Sequence, residues 1–276
     1  MPPRPTFIAI LSNIEETSTT VRYDFRDKEI QDIGLMTELR IIMLSETACK
    51  RFQQLLNMFQ LGDAESFKLE MNVTNSIISG SAALFMFHPD AFTPNDIDIY
   101  VPQTGANEIQ EALRQRGYNE KEGEPTHFIY GQETAIIASR LYKLGVTGTV
   151  NLIITHALNP VAAVVQFHST IVMNIITADG LICLYPVLTL AGRGVITTRS
   201  KNTRRCFIKY ILRGFSLQSQ FPEHNCNLTA YCRDKLRSIE DSDILAISFT
   251  ARGSRETILS SLAPYEWFIG PIKGSY

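Results

Sequence analysis

The sequence predicts an α+β fold, a mixed β-sheet flanked by helices with a mainly helical C-terminal part, and three observations predict it. First, the β-like run Ser76-Ile77-Ile78-Ser79 enters a Gly80-Ser81 turn, and the apolar residues Ala82 to Phe87 follow as a buried helix. Second, Asp96-Ile97-Asp98-Ile99-Tyr100-Val101 alternates polar and apolar with the period of two that a strand requires. Third, two pairs of β-like segments are joined by short connections containing glycine: Thr134–Tyr142 with Thr149–Thr155, and Ser169–Ile176 with Leu181–Tyr185.

Along the chain, residues 1–70 form a lead-in that packs on the core. It has a Pro-rich start, a short strand candidate at Phe7 to Leu11, and one helix. That helix is expected to open at Ser45, to place Leu55, Met58 and Phe59 on its apolar face, and to stop at Gly62. The core is expected over 71–190. Within it, a loop with two prolines, Pro89 to Asn95, separates the first helix from the acidic strand. Ala106 to Arg116 carries Ile109, Ala112 and Leu113 at helical spacing, with Gly117 as its C-terminal cap. Leu144 to Gly148 closes one hairpin, with Asn151 inside its second strand, and a short helix spans Pro160 to Gln166. The Asp179-Gly180 pair marks the turn of the other hairpin. Residues 191–276 are expected to be a basic, mainly helical extension, with a helix near Thr203 to Arg213 closed by Gly214 and small helices beyond it.

Composition narrows the class of protein. A chain of 276 residues with 45% hydrophobic and 20% charged residues can bury a substantial core. No apolar run reaches the ~18 residues of a membrane span, and the opening apolar run is too short for a secretory core. The five cysteines are odd in number and contain no Cys-x-x-Cys pair, which suits a reducing compartment, so cytosol or nucleus is the expected location. Net charge is only -2, yet Arg193, Arg199, Lys201, Arg204, Arg205, Lys209 and Arg213 fall between Leu181 and Pro222 without an acid among them. That segment reads equally as a phosphate- or RNA-binding face and as a solvated helix face.

The chemistry concentrates at two places. On a strand, Asp96 and Asp98 point to one face while Ile97 and Ile99 point to the core. Carboxylates so placed can hold divalent cations ~4 Å apart, with Mg2+ the natural occupant. Upstream, the Gly80-Ser81 turn offers backbone N–H groups and a hydroxyl to phosphate.

A hydrophobic-Gly-Ser turn, a helix, a loop and Asp-x-Asp on the next strand resemble the nucleotidyltransferase superfamily, which includes DNA polymerase beta and the CCA-adding polymerases. The resemblance runs from about Asn75 to Tyr185. It is closer to a group of uncharacterised fungal nucleotidyltransferase-like proteins sharing the Ser-Gly-Ser-x-Ala-Leu opening, the Asp-Ile-Asp-Ile-Tyr-Val strand and Phe167-His168-Ser169-Thr170. That group brings no function to carry over. The superfamily resemblance implies a sheet of nucleotidyltransferase type, a nucleoside triphosphate held with Mg2+ by Gly80, Ser81, Asp96 and Asp98, and transfer of a nucleoside monophosphate to a hydroxyl on protein, RNA or a small molecule. It also implies a third carboxylate on a neighbouring strand. Here that position matches Asn151, which can lend a carbonyl oxygen to a cation but cannot accept a proton. Two readings therefore stand, a Mg2+-dependent transferase and a catalytically inactive module of the same fold that binds a partner or nucleic acid.

Other residues are expected to be structural. His168 at a strand entrance fits a packed histidine, and Tyr210 and Phe215 fit a core before a stacking role. His224-x-Cys226 with Cys232 offers three metal-ligand types at irregular spacing and is expected to hold no metal.

Overall fold

The computed structural model describes residues 27–120, 135–156, 158–199, 201–226 and 229–272. The strand expected at Phe7 to Leu11 and Thr134 lie outside them. Helices α1 (Asp27–Met58) and α2 (Ala64–Thr74) lead into strand β1 (Ile77–Ser79) and helix α3 (Gly80–Phe85). Strand β2 (Asp96–Pro102), helix α4 (Ala106–Gln115) and strands β3 (Asn119–Glu120), β4 (Ala135–Tyr142) and β5 (Thr149–Thr155) follow. After helix α5 (Val161–Val164) come β6 (Asn174–Ile176), β7 (Gly180–Cys183), α6 (Pro186–Leu190) and β8 (Arg193–Val195). The chain continues with α7 (Lys201–Leu212), β9 (Ser216–Gln218), β10 (Arg237–Ser238), β11 (Leu245–Ser248), α8 (Arg255–Ser260) and β12 (Glu266–Trp267).

The expected α+β class is what the structure has: one eight-stranded mixed sheet, ordered β11-β7-β6-β1-β2-β5-β4-β3, with helices on its faces. Only β2 and β5 pair in parallel within it; the other neighbours are antiparallel. A parallel pair needs a crossover, and α4, β3 and β4 supply it. Both expected hairpins form, β4 with β5 and β6 with β7.

The two faces of the sheet bury separate cores. Ile78, Ile97, Ile99 and Leu152 meet Phe52, Leu55 and Leu56 of α1, Phe67 and Met71 of α2, and Ile109 and Leu113 of α4. Ile77, Tyr100 and Ile153 turn to the opposite face, against Val161, Val164, Phe167, Leu184 and Trp267. Each fully buried side chain of this size contributes about 1.5–3 kcal/mol. Asp96 and Asp98 share the parity of Tyr100, so the strand period alone sends them to the second face.

Helix α1 begins at Asp27, well before the expected Ser45. Ser45 is no cap, because buried Leu44 and Ala48 flank it and the stripe Leu44, Ala48, Phe52, Leu55 continues without a break. Its hydroxyl instead reaches the Thr250 carbonyl at 3.4 Å. The first helix ends at Met58, and a second, α2, follows where only one was expected: Asp63 caps its start, accepting from the Ser66 N–H at 2.9 Å, and Asn75 closes it at φ 51°. Gly105 is required where α4 begins, since a Cβ there would fall 2.3 Å from the Thr74 carbonyl oxygen.

The expectation of mainly helical structure beyond residue 191 holds for α7 and not for the rest. After α7, the described residues contain one helix of six residues and four short strands, and β11 pairs with β7 as an edge of the main sheet. The apolar runs there are too short and too often interrupted for a helical face, whereas Leu245–Ser248 can extend an existing ladder. Fully buried Arg237 fixes this region. It donates to Asp241 at 2.5 Å, to the Ala230 carbonyl at 2.6 Å and to the Leu184 carbonyl at 3.3 Å, between the rings of Tyr185 and Trp267. No described helix is long and apolar enough to cross a membrane.

Candidate functional site

Register across four strands lines up the polar residues of one pocket. Ser79 of β1 stands opposite Asp98 of β2, Asp98 opposite Asn151 of β5, and Asn151 opposite Arg140 of β4. The pocket is about 210 Å3, with Gly80, Ser81, Asp96, Asp98, Arg140 and Asn151 on its floor. Its wall comes from elsewhere: Phe167, His168 and Val172 after α5, and Cys206, Lys209 and Tyr210 of α7. All five residues expected at the site, Gly80, Ser81, Asp96, Asp98 and Asn151, line this one pocket.

Gly80 sits at φ 68°, a left-handed conformation that glycine adopts without strain, and a Cβ at that position would lie 2.6 Å from Asp98 Oδ2. The strand therefore turns into α3 directly against the carboxylate. Ser81 donates its hydroxyl to Asp96 Oδ1 at 3.2 Å. Asn151 donates from Nδ2 to Asp98 Oδ1 at 2.7 Å, and Arg140 Nε donates to Asn151 Oδ1 at 3.1 Å. Because a guanidinium only donates and a carboxylate only accepts, this chain fixes the amide orientation. Asn151 thus turns its nitrogen to Asp98 and its carbonyl oxygen to Arg140.

The electrostatics follow from that crowding. Asp98 shows an edge at the pocket floor but is enclosed elsewhere. Burial and the neighbouring Asp96 carboxylate push its pKa up to about 7, against the opposing pull of the Asn151 hydrogen bond, Lys209 and Arg140. Two carboxylates crowded at one pocket floor favour an added positive charge, and their oxygens, together with the Ser81 hydroxyl, are hard donors of the type that suits Mg2+. The donor set therefore fits that ion.

His168, expected to be structural, is both packed and at the pocket. Its ring lies 5.4 Å from that of Phe207 and 5.6 Å from that of Tyr210, with Nδ1 2.9 Å from Ser169 Oγ. Burial and the charge of Lys209 push it down to about 4, so it is neutral near pH 7. Tyr210 and Phe215 are core residues, as expected.

The basic segment is divided by the fold. Lys209 joins the pocket wall, Arg213 lies over the Phe92 ring at 4.0 Å, and Arg204 and Arg205 are exposed on α7. Arg193 pairs with Glu223, which follows directly on the acid-free window, and stacks 3.8 Å over Phe221. Sequence reasoning did not place Arg140 or Lys209 at the site. The 3.6-residue spacing of Cys206, Lys209 and Tyr210 on α7 is the signal that could have found the second.

No protein-family model matches the sequence, and neither does any curated protein. The resemblance to the fungal group thus finds no counterpart there. Among solved structures, two of CCA-adding enzymes show a partial likeness. One, a complex with CTP, is 15% identical over 50% of this chain and 35% of that one, with a TM-score of 0.34. The other, an apo form, is 13% identical over 57% of this chain and 39% of that one, with a TM-score of 0.36. This chain therefore spans well under half the length of either enzyme.

Proposed function

We propose that this protein binds the phosphate end of a nucleoside triphosphate together with Mg2+ in the Gly80–Asp98 pocket. The observation that carries the reading is the crowded pair Asp96 and Asp98, sharing one pocket with Lys209, Arg140 and the Gly80 turn. Lys209 in the wall and Arg140 on the floor would take phosphate oxygens, and the carboxylates would hold the metal. At about 210 Å3, the pocket lies below the roughly 300 Å3 at which ligand sites usually begin. It suits a metal and phosphates, with the nucleoside directed towards solvent.

With Mg2+ bound, a triphosphate here would be neutralised and oriented for attack by a hydroxyl on protein, RNA or a small molecule, with pyrophosphate leaving. Asn151 favours a second reading. It occupies the strand position facing Asp98, carries no charge, and is tied on both sides, so it positions Asp98 and accepts no proton. A site that binds and does not transfer, used as a partner- or nucleic acid-binding module, follows from that residue.

Equilibrium binding of each labelled triphosphate, with and without Mg2+, tests the first reading. Asp96→Ala is expected to abolish the Mg2+-dependent part, and equal binding by that variant would remove the site. Pyrophosphate release then separates the two readings. Release by the native chain supports transfer, whereas release only from Asn151→Asp supports the binding module.

A further inference from the structure

The loop after β9 carries His224, Cys226 and Cys232, and the fold brings them together despite their irregular spacing. One ring nitrogen of His224 and both sulfurs lie within 4.8 Å of one another. The convergence is held by backbone hydrogen bonds, from the His224 N–H to the Phe221 carbonyl at 3.0 Å and from the Cys232 N–H to the Thr229 carbonyl at 3.0 Å. Arg233 pins the same stretch, donating to the carbonyls of Gly270 at 2.8 Å, Ser219 at 2.8 Å and Ile196 at 2.5 Å. A hollow of about 160 Å3 adjoins the cluster, with Asp234 also on its lining.

The histidine supplies an independent sign. Its Nε2 is buried without a hydrogen-bond partner, an arrangement that costs free energy unless something completes it. Its Nδ1 faces the Gln220 side-chain amide at 3.0 Å. With that amide turned over, Nδ1–H donates to Gln220 and the Nε2 lone pair is left for a metal, the usual arrangement of a ligating histidine and its outer partner.

We propose that His224, Cys226 and Cys232 form a binding site for Zn2+ or another thiophilic divalent cation, with the fourth position open to water or to Asp234. On binding, both thiols release their protons to solvent, and two thiolates with a neutral imidazole balance the 2+ charge. Bonds of about 2.3 Å to sulfur and 2.1 Å to nitrogen place tetrahedral ligands roughly 3.5–3.8 Å apart. The three groups already lie within 4.8 Å of one another, and Cys226, at the surface, is able to follow as the cluster closes on loading. Mg2+ does not compete, because it prefers oxygen donors.

The test uses the full chain, reduced and stripped with a chelator, then titrated with Co2+ as the probe. The proposal expects one Co2+ per chain, a thiolate-to-cobalt charge-transfer band, and displacement of the ion by Zn2+. Cys226→Ser and His224→Ala should each weaken binding by at least about 100-fold, while Asp98→Asn leaves the band unchanged. Cys226 is exposed, so its variant tests the ligand without disturbing the core. Absence of the band in the reduced protein, its retention in Cys226→Ser, or its loss in Asp98→Asn would each overturn the proposal. So would a Cys226–Cys232 disulfide that persists under reductant.

Discussion

Asp96 and Asp98 meet because a strand repeats every two residues, whereas His224, Cys226 and Cys232 meet because a loop folds back and is pinned by distant carbonyls. The first cluster sits at the middle of an eight-stranded sheet, between neighbours on both sides. The second belongs to the region past α7, whose strands span two to four residues. A site built on sheet register inherits its geometry from the backbone ladder. One built on a loop depends on a few side chains that act as rivets.

That contrast can be broken at its strongest point. Arg237→Ala removes a fully buried cation and leaves Asp241 and two carbonyls without their donor. We expect a loss of about 3–5 kcal/mol in urea unfolding. A loss below about 1 kcal/mol, within the range of ordinary surface substitutions, would show that the C-terminal region does not hang on this residue.

Within the sheet, Gly80→Ala is the sharper probe. It forces a Cβ into a left-handed conformation at 2.6 Å from Asp98 Oδ2. The expected cost is about 1–3 kcal/mol, together with weaker Mg2+-dependent nucleotide binding. Unchanged stability would mean that the turn can relax away from the carboxylate.

Asp98→Asn has the smallest expected effect, and its sign is opposite. The folded carboxyl titrates at about 7, above its unfolded value of roughly 3.9. Between those values the folded chain holds a proton that the unfolded chain has lost, so this group's contribution is greatest below about pH 4 and declines as pH rises towards 7. Without divalent cations, the variant should be more stable than the native chain at pH 8, by roughly 1 kcal/mol after solvent screening. Unfolding midpoints at pH 5 and pH 8 measure this. A variant less stable at pH 8 would show that the crowding of Asp96 and Asp98 is not unfavourable.

The same contrast explains what the sequence made legible. The alternation from Asp96 to Val101 and the glycine turn at Gly80 are local patterns, and the structure puts both beside one pocket. Gly117, at φ 86°, likewise closes α4 where its position predicts. The start of α1 was hidden because Ser45 resembles a cap in isolation. Its burial against the Thr250 carbonyl is a contact across the whole chain. Arg140 gave no sign, and the helical spacing of Cys206, Lys209 and Tyr210 marked one shared face without saying what it covers, because β4 and α7 reach the pocket only through tertiary packing. His224, Cys226 and Cys232 were visible as residue types, but their convergence was not, since spacing along a loop says little about distance in space.

Whether the carboxylate pocket takes a triphosphate with Mg2+ is read from the melting temperature against ATP, GTP, CTP and UTP, each with and without the metal. A tight site stabilises by about 2.7 kcal/mol at a hundredfold excess of ligand over its dissociation constant. A Mg2+-dependent rise is expected with at least one nucleotide, and it disappears in Asp96→Ala. No rise with any of the four, or a rise that Asp96→Ala retains, would contradict it.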